Sequence, residues 1–308
     1  MLKNKLKVVF LVLTYNEEKH IERCISSIKG ANAKILIVDS FSNDSTVEIA
    51  KKNKNVEILQ NNWSTHANQI NWALTHIDSD TDWVIRIDAD EIMSDELIFE
   101  ITNSLQNLSK EIKGVYLKRS IMFKGRLLKF GGIAKIPVLR IFRYGFGKSE
   151  NRRTDEHIVI NGRTTSFKGD LIDNNLNSLS YWISKHNKYS SNEAIEFILD
   201  QHNQNRSKDF GMFSLSMGPH SKRWIKEKVY NRLPISLRAF MYFIYRYIFL
   251  LGFLDGRKGF LFHFLQGFWY RFIVDQKIKE LDDYMKSNNV DISSAALQCF
   301  NIDINDQD

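Results

Sequence analysis

Four short apolar runs, each followed by a helical pattern, constrain this chain more than any other feature. The runs cover residues 7–13, 34–38, 56–59 and 83–87, and a fifth lies at 115–118. Between them, 17–28, 44–53, 64–75 and 94–108 carry helical signals. In the first of these, Ile21, Cys24, Ile25 and Ile28 fall at i, i+3, i+4 and i+7. Asp44 or Ser45, and Ser94 or Asp95, are placed to cap the second and fourth. Strands so far apart cannot be joined as hairpins. The alternation predicts an α/β fold with a mostly parallel sheet and helices on both faces. Ligands of such sheets bind outside the carboxyl ends of the strands. Those ends carry Thr14, Tyr15, Asn16 and Glu17 after the first run, Asp39 after the second, and Asp88-Ala89-Asp90 after the fourth.

The N-terminal apolar run is too short for the hydrophobic region of a secretory signal, and no small-residue cleavage site follows it. It reads as a first buried strand. Two cysteines, Cys24 and Cys299, make neither a disulfide framework nor a cysteine-built zinc site, and fit a reducing compartment.

Charge divides the chain. The net charge is +7 over 308 residues, while residues 220–280 alone carry +8. Within that segment, 240–272 holds fourteen aromatic residues. Apolar stretches at 239–254 and 259–274 contain Arg246 and Arg271 and fall short of the ~20 apolar residues of a spanning helix. They read as interfacial helices, with aromatic residues at the headgroup boundary and basic ones facing anionic lipid. A buried helical pair or an oligomer interface is the alternative. Long aliphatic runs among the aromatics argue against nucleic acid.

Asp-x-Asp on a turn can hold a divalent cation that neutralises a diphosphate. The pattern recurs at Asp78, Asp80 and Asp82 and at Asp306 and Asp308, yet only Asp88 and Asp90 directly follow an apolar strand. No glycine-rich phosphate loop follows any strand, so phosphate charge would have to be met by a metal or by side chains.

Taken together, Leu13-Thr14-Tyr15-Asn16-Glu17-Glu18, Val38-Asp39-Ser40, Gln69-x-Asn71-Trp72-Ala73-Leu74 and Asp88-Ala89-Asp90-Glu91 resemble family 2 glycosyltransferases in order and spacing. The resemblance covers about residues 7–180. It implies the GT-A fold and inverting transfer from a nucleotide-diphosphate sugar, commonly a UDP-sugar, with Mn²⁺ or Mg²⁺ as cofactor. It assigns Thr14, Tyr15, Glu17, Gln69 and Asn71 to the nucleotide pocket and Asp39 to the base. Asp88 would face the ribose and, with Asp90, the metal. Asp155-Glu156-His157 resembles the segment that supplies the catalytic base in lipopolysaccharide-core relatives, with Glu156 and Asp155 both open for that role. The cluster could instead be a surface one paired with Arg152 and Arg153. Trp182, His186, Asn187 and Tyr189 are similar to an acceptor-side pattern of bacterial polysaccharide transferases, or form a packed helix face.

The expected organisation is a GT-A catalytic domain over 1–200, a linker over 201–220, a membrane-surface helical region over 221–285 and a polar tail over 286–308. The expected acceptor is a lipid-linked saccharide or lipopolysaccharide precursor, met at the cytoplasmic face of the inner membrane. A non-catalytic nucleotide-sugar-binding scaffold of a membrane assembly is the rival function.

Overall fold

The computed structural model describes residues 6–150, 157–202 and 237–304. These form two compact units. The first holds 6–127, 134–150 and 157–176; the second holds 128–133, 177–202 and 237–304.

The first unit is built on one large sheet. Its strands are β1 (Val8–Thr14), β2 (Lys34–Asp39), β3 (Val56–Gln60), β4 (Trp83–Asp88), β5 (Glu91–Met93), β6 (Ile112–Phe123), β7 (Arg126–Leu127), β8 (Ile136–Arg143) and β11 (Arg163–Asp173). The order is β3-β2-β1-β4-β8-β6-β11-β5, with β7 on β6. The β3-β2-β1-β4 half is parallel, and β8 joins it antiparallel to β4. β9 (Gly147–Ser149) and β10 (Ile158–Ile160) form a separate antiparallel pair.

The central parallel strands β1, β2 and β4 are mostly apolar because both faces are covered, whereas the edge strand β3 carries exposed Glu57 and Gln60. Phe10 and Val12 of β1, Ile35 and Ile37 of β2, and Trp83 and Ile85 of β4 enter one core, with Ile21, Cys24, Ile25 and Ile28 of α1 (Ile21–Ile28). Val9 and Leu11, Leu36 and Val38, and Val84 enter the other, with Ile70 and Ala73 of α3 (His66–Leu74). Helix starts follow local chemistry. Asp44 Oδ1 accepts from Thr46 N (2.9 Å) at the start of α2 (Thr46–Lys51). Ser94 Oγ accepts from Leu97 N (3.2 Å) at α4 (Asp95–Ser104), whose first turn holds Asp95 and Glu96.

The second unit is helical: α5 (Leu179–His202), α6 (Leu237–Phe249), α7 (Gly252–Asn288) and α8 (Ile292–Phe300). α6 ends in a π-helical turn at Tyr245–Phe249. α7 opens with a 3₁₀ turn at Gly252–Asp255 and carries a π-helical stretch at His263–Trp269. Ala194, Ile195 and Ile198 of α5 bury against Leu281 of α7 and Ala295 and Ala296 of α8.

Two expected boundaries change for that reason. α5 belongs with the C-terminal helices, so the first unit ends at 176, not 200. Residues 286–308 are no simple polar tail, because α8 supplies core residues. Nearly all of the expected linker, 203–220, lies outside the described residues, as do 221–236.

Candidate active site at the strand ends

Parallel register brings the strand ends level. Thr14 stands opposite Asp39, Leu13 opposite Asp88, and Asp39 opposite Gln60. The resulting cluster is stitched by side chains. Asp39 is fully buried, and its carboxylate accepts from Thr14 Oγ1 (2.9 Å), Ser42 Oγ (2.5 Å), Ser42 N (2.8 Å) and Gln60 Nε2 (3.4 Å). Its role in this arrangement is to shape the loop after β2.

That loop is zipped to the loop after β1. Asn16, at a left-handed φ of 55°, donates its N–H to Ser42 Oγ (2.9 Å) and accepts from Asn43 N through Oδ1 (3.0 Å). Glu17 N–H donates to Thr46 Oγ1 (2.7 Å). The Glu17 carboxylate accepts from His20 Nδ1–H (2.5 Å), while His20 Nε2 accepts from Leu176 N (2.9 Å). These two bonds fix the imidazole tautomer. Tyr15 and Phe41 remain exposed on the two loops. Phe41 adopts φ 57°, a conformation that costs a bulky residue energy and that concentrates at functional sites.

Gln69 and Asn71, two positions apart and so on different faces of α3, do different work. Buried Gln69 donates to Ser40 Oγ (2.8 Å) and Asn61 O (3.1 Å) and accepts from Asn61 Nδ2 (2.5 Å). It supports the loop after β2. Asn71 clamps Ser149 through two backbone bonds, 3.0 and 2.9 Å. Ser149 ends β9, the strand leading into the Asp155–Glu156 segment. Those two base candidates lie outside the described residues.

The Asp-x-Asp turn separates its two acids. Asp88 accepts from Arg86 at Oδ1 (3.1 Å) and from Arg140 at Oδ2 (2.8 Å). Arg140 also donates to Glu91 Oε1 (2.7 Å), and Glu91 Oε2 accepts from the Asp88 N–H (2.9 Å). Burial alone would raise Asp88, but the two guanidinium groups hold its carboxyl well below the ordinary range. Burial pushes Glu91 the other way. The Asp90 carboxylate accepts one side-chain bond, from Asn175 Nδ2 to Oδ2 (2.9 Å), and its Oδ1 has no hydrogen-bond partner among the described residues. Its carbonyl accepts from Asn174 N (3.0 Å) and Arg23 (3.2 Å), which also donates to Asn174 O.

Asp90 therefore fits a divalent cation as a single carboxylate ligand. Among the described residues no three His, Cys, Asp or Glu side chains converge to hold a metal. A cation held by one carboxylate would take its remaining ligands from diphosphate and water, the usual habit of Mg²⁺ at nucleotide sites. Asp88 is already committed to arginine.

Arg86, Arg140 and Asn175 are absent from the motif reading. The only sequence signal for the arginines was a positive charge inside an apolar strand, which needs a buried acid as partner.

The glycosyl transferase family 2 profile matches residues 9–214. An uncharacterized glycosyltransferase of Rickettsia typhi is 29% identical over 294 residues, covering 92% of this chain and 90% of that protein. Another, from Rickettsia prowazekii, is 28% identical over 202 residues, covering 62% of this chain and 68% of that protein. The crystal structure of S. aureus TarS 1–349 in complex with UDP-GlcNAc aligns with a TM-score of 0.42 at 15% identity, covering 92% of each chain. The profile spans well over half of the sequence and takes in every strand-end residue described above, and on that match this chain belongs to glycosyl transferase family 2.

Proposed function

We propose that this transferase moves a sugar from a nucleoside-diphosphate sugar, with uridine as the base, to a lipid-linked saccharide of the envelope-polysaccharide or lipopolysaccharide type. The reaction is a single displacement with inversion. The observation that carries the reading is the division of labour at the end of β4: Asp88 locked by two arginines, and Asp90 with an oxygen left over.

In this reading Thr14, Asp39 and the zipped loops form the nucleotide pocket. Exposed Tyr15 and Phe41 offer aromatic surface to the base. Asp39 reads the base only if Ser42 gives up one of its bonds to the carboxylate. Mn²⁺ or Mg²⁺ on Asp90 supplies neutralisation of diphosphate charge. The acceptor hydroxyl oxygen bonds to the anomeric carbon as the bond to the diphosphate oxygen breaks, and the hydroxyl proton passes to Glu156 or Asp155. The basic, aromatic C-terminal segment supports an acceptor at a membrane surface, at the cytoplasmic face of the inner membrane.

The test compares Asp90→Asn with Asp80→Asn. Asp80 sits in an exposed pair with Lys7. Asp90→Asn should abolish transfer and the Mn²⁺-dependent part of the UDP-induced thermal shift, and Asp80→Asn should change neither. Equal behaviour of the two variants refutes the assignment.

A further inference from the structure

The helical hairpin formed by α6 and α7 carries a dense exposed apolar surface. At its turn, Ile248, Phe249, Leu251, Phe253, Leu254 and Phe260 all face solvent, and Phe249 is 71% exposed. Isolated exposed apolar residues need no explanation, but a contiguous set on one turn marks an interaction surface.

Charge at this turn has one sign. Between 237 and 274 the sequence has a single acid, Asp255. It is buried and accepts from the backbone N–H groups of Lys129 and Phe130. Arg238 pairs with Asp275, and buried Arg246 donates to Gly131 O (3.0 Å). Arg257 and Lys258 stay exposed beside the apolar side chains. The exposed charged side chains within 248–260 are both basic.

Several backbone groups of the turn are satisfied by the turn itself and by the loop 128–133. Leu250 N–H donates to Tyr245 O (3.0 Å), Leu251 N–H to Ile248 O (3.1 Å) and Leu254 N–H to Leu251 O (3.0 Å), and Leu250 O accepts from Gly131 N (2.8 Å). A turn that enters hydrocarbon must meet this condition, since lipid offers no hydrogen bonds. Length sets the depth. No single helix among the described residues is long and apolar enough to cross a membrane, and α6 and α7 meet at a 72° bend. At 1.5 Å per residue α6 is roughly 20 Å long, short of a ~30 Å hydrocarbon core.

We propose that the hairpin inserts tip-first into one leaflet of an anionic bilayer. The side chains of Phe249, Leu251, Phe253 and Leu254 enter the acyl region, and Arg257 and Lys258 meet the lipid phosphates. This replaces the expected pair of helices lying flat at the interface. It rests on the membrane-surface reading above and gives that surface its contact residues. A second copy of the chain suits the patch less well. A two-fold contact would turn the basic rim of one copy toward that of the other, whereas anionic headgroups complement it.

The test is vesicle flotation of the full chain, with phosphatidylcholine alone and with phosphatidylglycerol added. The parent should float with the anionic vesicles. The triple variant Phe249→Ser, Leu251→Asn, Leu254→Ser should bind at least tenfold more weakly, with unchanged circular dichroism and UDP-induced thermal shift. All three positions are exposed, and asparagine suits the φ of 60° at position 251. Arg257→Glu with Lys258→Glu should lose the preference for anionic vesicles and keep a salt-insensitive remainder. Parent-like flotation of the triple variant overturns tip-first insertion and leaves the membrane-surface reading standing. A parent that floats with neither vesicle overturns both, and a parent dimer made monomeric by the triple variant assigns the patch to a second copy. The Asp90→Asn result is independent of all these outcomes.

Discussion

Arg140 reaches Asp88 and Glu91 from one guanidinium nitrogen, and its Nε and Nη1 have no acceptor among the described residues. It is the charge that makes two acids tolerable at the end of a buried strand. Removing one member of a buried pair costs ~3–5 kcal/mol, because the remaining charge is stranded. Arg140→Met should therefore lose about that much stability in urea and should also weaken UDP binding, as the turn carrying Asp88 loosens. Arg140→Lys should recover part of each, since lysine restores charge without the planar fork. Parent-like stability of Arg140→Met would show that Arg86 alone suffices. This role was not legible in the sequence: Arg140 and Asp88 are 52 positions apart, and no local pattern links them. Asp88 and Asp90 were legible because their strand is, but their unequal roles depend on partners drawn from β8 and from the segment after β11.

His186 is the second residue-scale case. It stacks on Trp182 at 3.5 Å between ring centroids and meets Tyr270 edge-on, and its Nδ1–H donates to Trp182 O (2.8 Å). In the second unit these residues form a packed helix face. Burial, aided by Lys185, pushes the imidazole from 6.5 down to about 4. The depressed value means the folded state binds fewer protons than the unfolded one. The stabilising contribution is complete above pH 6.5 and is lost as pH falls toward 4. His186→Phe keeps the ring packing and cannot titrate. Thermal melts between pH 7 and 4.5 should show a shallower loss of stability for His186→Phe than for the parent, and identical slopes would remove His186 as the cause.

At the scale of elements, β1 to β4 and α1 to α4 could be read from periodicity because each is short, regular and bounded by capping or turn residues. β5 and β11 could not. β5 has three residues, and β11 is largely polar, with a register shift between Ser166 and Asp170 that breaks any alternation. The C-terminal helices were legible as apolar but not in extent. α7 continues to Asn288 because Ile278, Leu281 and Met285 pack at helical spacing after the aromatic run has ended. The docking partners of the loop 128–133 are remote in sequence. Gly131 sits at φ 75° and is held by Leu250 O and Arg246. A methyl group at Gly131 would fall on the His263 ring. Gly131→Ala should cost about 1–2 kcal/mol for backbone conformation and ~1–3 kcal/mol for overpacking. Gly145→Ala provides the control, since φ there is 81° and nothing lies within 4 Å of the added carbon. It should carry the conformational cost alone. Equal losses in urea denaturation would exclude the His263 contact as a cause.

At the scale of the whole molecule, the chain builds separate cores from different chemistry. The first unit buries aliphatic strands between helices on both faces. The second buries small and aliphatic residues where α5, α7 and α8 meet, and leaves aromatic surface on its hairpin. The segment 220–280 carries +8, and the acids of 281–308 offset much of it. Sequence composition made that division visible, but it misplaced the boundary, because α5 is polar enough to pass for a surface helix of the sheet. Leu281 tests the division directly. It is fully buried among Ala194, Ile195, Ile198, Ala295 and Ala296, and none of these belongs to the first unit. Leu281→Ala leaves a cavity costing ~2–5 kcal/mol. If the cores are energetically separate, amide hydrogen exchange should accelerate in 190–200 and 278–300, while protection of β1, β2 and β4 and the UDP-induced thermal shift stay at parent values. Protection lost equally in β1 and α7 would mean that the two units unfold as one, and the loss of Leu281 would then be felt at Asp39 and Asp88 as strongly as at Ala295.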